Sequence, residues 1–103
     1  MDAGEVRLSR GMEDRFHAIG RAPGRSRATV SVEYGGRPAH LELDFALGEP
    51  NAERPILQVD RTGTFAFPGI VEPRELVSVR ARHLPVGEVK MIVRFESVTK
   101  QEG

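Results

Sequence analysis

The stretch Ala28-Thr29-Val30-Ser31-Val32-Glu33-Tyr34-Gly35-Gly36-Arg37-Pro38-Ala39-His40-Leu41-Glu42-Leu43-Asp44-Phe45-Ala46-Leu47 decides the fold class. Ala28, Val30, Val32 and Tyr34 alternate with Thr29, Ser31 and Glu33, the period of a strand with one buried face. Beyond the glycines, Ala39, Leu41, Leu43, Phe45 and Leu47 alternate with His40, Glu42, Asp44 and Ala46. Both central positions of a two-residue hairpin turn favour positive φ, which glycine adopts freely. Gly35-Gly36 therefore predicts that these two strands pair as a hairpin.

Working outward, the same alternation recurs in shorter runs. Towards the N-terminus, Phe16, Ala18 and Ile19 mark a strand over 15–21. Arg21-Ala22-Pro23-Gly24-Arg25-Ser26-Arg27 reads as a turn, with Pro23 fixing φ and Gly24 permitting positive φ. Residues 1–13 are polar and Gly-punctuated and read as a flexible arm or a short edge strand. Towards the C-terminus, a loop over Gly48–Pro55 precedes a strand over Ile56–Val59. The turn Asp60-Arg61-Thr62-Gly63 leads to Thr64–Phe67. Leu76–Arg82 directs Val77, Val79 and Ala81 inward, and Glu88–Val98 carries Val89, Met91, Val93 and Phe95 on one face. Thr99–Gly103 reads as a loose tail. About seven strands at this spacing, with no helical periodicity, predict one all-β domain over 14–98. The expected form is an antiparallel β-sandwich, with a small six-stranded β-barrel as the alternative.

Composition narrows the function classes. The 103 residues hold fifteen basic and fifteen acidic side chains and no cysteine, so bulk attraction to nucleic acid or a membrane surface is not expected. Disulfides, zinc–thiolate sites and thiol nucleophiles are excluded. No apolar run is long enough to span a bilayer as a helix. Met1-Asp2-Ala3-Gly4-Glu5 lacks the charged-then-apolar pattern of a secretory signal and points to the cytoplasm, or to the exterior if a leader has been cleaved. Thirteen of the fifteen basic residues are Arg, which fits a GC-rich bacterial genome.

Two family resemblances follow from local motifs. Val59-Asp60-Arg61-Thr62-Gly63-Thr64-Phe65-Ala66-Phe67-Pro68-Gly69-Ile70-Val71-Glu72-Pro73, continuing to Val79, resembles the signature of transthyretin-like, carboxypeptidase-regulatory (Cna B-type) sandwich modules. In that pattern Asp60 and Gly63 would close a hairpin while Phe65 and Phe67 fill the core. The chain departs from it at Arg74 and Glu75, where the family has Gly and Tyr. The resemblance implies a non-enzymatic structural or adhesive module. Separately, Arg21-Ala22-Pro23-Gly24-Arg25 resembles the R-x-x-x-R motif of PilZ domains, which implies cyclic-dinucleotide binding. The second motif of that family is missing.

Catalysis needs reactive groups brought together. His17, His40 and His83 are scattered, and no nucleophile elbow, Walker loop or G-x-G-x-x-G occurs. His40, Glu42 and Asp44 form an outward stripe, but residues two apart on a strand stand roughly 6.5–7 Å apart, too open to hold a metal unaided. The stripe reads as a solvated face, and neither metal nor cofactor is expected. Charge is uneven along the chain. Residues 1–37 carry seven Arg against five acids, 38–60 one Arg against five acids, and 61–103 seven bases against five acids. Arg80 and Arg82, with Lys90 and Arg94 on what reads as the other arm of a final hairpin, predict a basic strip opposite Glu42 and Asp44. Such a bipolar surface suits a protein partner or self-association. Arg21, Arg25 and Arg27 could instead hold an anionic small ligand. The expected function is a non-catalytic interaction module, with an anion sensor as the alternative.

Overall fold

The computed structural model describes residues 3–35, 39–48 and 53–98. They form eight strands and no helix: β1 (Ala3–Ser9), β2 (Phe16–Arg21), β3 (Ser26–Tyr34), β4 (Glu42–Leu47), β5 (Arg54–Val59), β6 (Gly63–Ala66), β7 (Leu76–His83) and β8 (Glu88–Ser97). Two antiparallel four-stranded sheets pack face to face, ordered β1-β8-β3-β6 and β2-β7-β4-β5. The all-β sandwich read from the alternation is therefore observed, with the N-terminal segment supplying an eighth strand along β8. The strand order is that of a jelly roll.

The core lies between the sheets and follows the alternation. Ala28, Val30 and Val32 of β3 and Val89, Met91, Val93 and Phe95 of β8 are buried from one side. Leu43, Phe45 and Leu47 of β4 and Val77, Val79 and Ala81 of β7 meet them from the other. The Phe45 and Phe67 rings lie 6.0 Å apart at 56°, a tilted contact that aromatic pairs favour.

Three expected hairpins are not formed. β3 pairs with β8 and β6, whereas β4 pairs with β5 and β7, so the chain crosses between sheets after Tyr34 and Gly35. Gly36 of the expected turn lies outside the described residues. The turn at Asp60–Gly63 likewise crosses, since β5 and β6 belong to different sheets, and so does the connection from β7 to β8. Alternation tells each strand which face to bury. It carries no information about which strand lies alongside. The one pair of consecutive strands that shares a sheet is β4–β5, across the segment read only as a loop, of which 49–52 lie outside the described residues. The expected tail, Thr99–Gly103, also lies outside them.

Two backbone features fix how the sheets meet. A Cβ on Gly4 would stand 2.1 Å from the Ile19 carbonyl oxygen, and one on Gly20 would stand 3.2 Å from the Gly4 Cα. The edge strands β1 and β2 therefore approach at a separation that side chains would prevent. In the turn before β7, Arg74 takes a left-handed φ of 68°, where the transthyretin-like motif has Gly. Its amide donates to the Ala22 carbonyl, and the Ala22 amide donates to the Glu75 carbonyl. Turn 22–25 is thereby tied to turn 72–75.

Candidate interaction surface

The outer face of the second sheet brings together the residues that carried the acidic stripe and the first half of the basic strip. Register sets this. Asp44 lies opposite Arg80 in the β4–β7 ladder, Gln58 of β5 lies opposite Asp44, and Phe16 of β2 lies opposite Arg80. A row Phe16–Arg80–Asp44–Gln58 thus crosses all four strands.

Asp44 is the fixed point of that row. Its side chain is only 5% exposed, and a buried carboxylate requires partners. The Arg80 Nη2 donates to Oδ2 at 2.9 Å, and the Gln58 Nε2 donates to Oδ1 at 3.2 Å. Arg82 stands beside Oδ2 at 3.6 Å and reaches the Glu42 carboxylate at 3.9 Å. The Arg80 guanidinium also lies 5.1 Å from the Phe16 ring centroid, a cation–π contact. His40 shares a 2.9 Å contact with Glu42 and packs its ring 4.9 Å from that of His83. A depression of about 500 Å³ is lined by His40, Glu42, Asp44, Gln58 and Arg82 together with Asp60 and Arg61, the last two paired at 2.9 Å.

This corrects the expected separation of the charges. Arg80 and Arg82 are cross-strand neighbours of Asp44 and Glu42, not members of an opposing strip. Lys90 and Arg94 lie on the outer face of the other sheet. There Lys90 pairs with Glu33 at 3.5 Å, and Arg7 pairs with Glu5 at 2.8 Å. The Arg7 guanidinium holds the Glu5 carboxyl below the usual carboxylate range.

The three arginines of the Arg21–Arg27 turn do not share one target. Arg21 donates from Nη1 to the Arg74 carbonyl at 2.9 Å, and Arg25 stands 3.6 Å from Glu72. Both fasten the turn to its neighbour. Gly24 does not take the positive φ that the turn reading permitted. Arg27 points instead to a groove that Arg94 also lines. No sequence signal brought Arg27 and Arg94 together, because their adjacency depends on the β3–β8 register.

Among the described residues, no group of three or more His, Asp or Glu is placed to hold a metal ion. Among the described residues no helix is long and apolar enough to cross a membrane. Compared with known proteins, the chain matches no family model and no curated sequence at a significant level.

Proposed function

We propose that the chain is a non-catalytic interaction module that self-associates through the outer face of its second sheet. The observation that carries this reading is the alternation of sign around a rigid buried anchor. Asp44 holds Arg80, and around that pair stand Arg82, Glu42 and His40, each with a large exposed fraction. A face bearing both signs can meet a copy of itself about a two-fold axis, each cation facing an anion of the partner. Exposed ion pairs contribute only about 0.2–1 kcal/mol each, so the association is weak and sensitive to salt.

Sedimentation velocity over a range of protein concentrations tests it. At low ionic strength the average mass should rise with concentration. It should fall back to the monomer at high salt and in Arg82→Ala, whose melting temperature stays near that of the parent. A chain that is monomeric at every concentration and salt level overturns the proposal.

A further inference from the structure

A second surface has a different character. Where β3, β8 and the end of β6 meet, a groove of about 650 Å³ has Pro23, Ala66, Phe67 and Phe95 in its wall. Its volume falls within the range of small-molecule sites. Arg27 and Arg94 stand on its rim. Arg27 lies opposite Glu96 and Arg94 opposite Thr29, so the two arginines are diagonal neighbours on one sheet face. Diagonal Cβ atoms in an antiparallel pair are roughly 7–8 Å apart, within reach of a common anion for two long side chains.

Their pairing is unlike that of the other cations on the sheet faces. Arg7, Lys90, Arg80 and Arg82 each face an acid. Among the described residues Arg27 has no ion pair, and Arg94 has only a 3.5 Å approach to the Ser31 hydroxyl. Glu96 also lines the groove but forms no ion pair there among the described residues. Two cations and one acid leave the rim with one net positive charge, which matches a monoanion better than a polyphosphate. We infer that this groove binds a small amphipathic carboxylate, its carboxylate between Arg27 and Arg94 and its apolar body against Pro23, Ala66 and the small exposed edges of Phe67 and Phe95. The guanidinium fork suits a carboxylate, and the aromatic edges suit a hydrocarbon.

The test uses the full chain, isotope-labelled, titrated with 4-phenylbutyrate and separately with its neutral amide, followed by amide chemical shifts. The carboxylate should give saturable shifts at Thr29, Phe67, Arg94 and Phe95. The amide should bind about tenfold more weakly or worse, as should the Arg27→Ala/Arg94→Ala double variant towards the carboxylate. The inference is overturned by three results: no saturable shifts at these residues, equal affinity for acid and amide, or an unchanged affinity in a folded double variant. Comparing acid with amide on the parent protein keeps the test decisive even if the double variant fails to fold. The outcome is also independent of self-association, which uses the other sheet.

Discussion

Asp44 stands between Leu43 and Phe45 along β4 and faces away from the core, and its carboxylate has nevertheless been withdrawn from water. What makes that tolerable is the pair of cross-strand hydrogen bonds from Arg80 and Gln58, with the Arg82 charge 3.6 Å away as a lesser contribution. Asp44→Ala removes the acceptor and leaves those donors to find water. The Arg80 side chain is 35% exposed and can do so in part, which places the cost below that of a wholly buried ion pair. The expected loss is about 1–3 kcal/mol in a urea unfolding curve, with the slope unchanged. A loss indistinguishable from zero would mean that the network is ornamental to the fold. At this scale the sequence was partly legible. Spacing placed His40, Glu42 and Asp44 on one face, but it read that face as solvated, and nothing local indicated that Asp44 is buried.

At the scale of elements, β1 shows how a weak pattern becomes a regular strand. Val6 and Leu8 alternate too briefly to predict more than an arm or edge. Pairing with β8 and the glycine contact with β2 make it part of the sandwich. Gly4→Ala would drive a Cβ into the Ile19 carbonyl, so the two edge strands must separate. The expected cost is at least about 2 kcal/mol, since overpacking against backbone finds no rotamer to relieve it. Gly24→Ala is the control. A Cβ there meets nothing within 4 Å, and its φ is negative or extended, so the change should be neutral or stabilising by up to about 1 kcal/mol. Thermal melts of both variants check the pair, and equal destabilisation would refute the close-approach account. The glycine in question stood in a stretch read only as Gly-punctuated. The reason for Gly4 lies in β2, which follows in the chain but belongs to the facing sheet.

Across the whole molecule, six of the seven connections between the described strands pass from one sheet to the other. β1 therefore pairs with β8 across almost the full length of the chain, and β2 with β7 across more than half of it. Closing such loops before any contact rewards them is slow, and non-local β topologies fold in roughly milliseconds to seconds. Stopped-flow refolding should fall in that range, and completion within microseconds would contradict the topology. The same connectivity explains what could be read in advance. Alternation by itself determined that the protein is all-β, which face of β3, β4, β7 and β8 turns to the core, and that a sandwich rather than a helical fold results. Those properties follow from a period of two and from water being excluded from one face. The pairing of strands was decided only in three dimensions, because any inward-facing strand satisfies that pattern beside any other. With the pairing came the joining of Asp44 to Arg80, the meeting of Arg27 with Arg94, and the crossing after Gly35 in place of a hairpin.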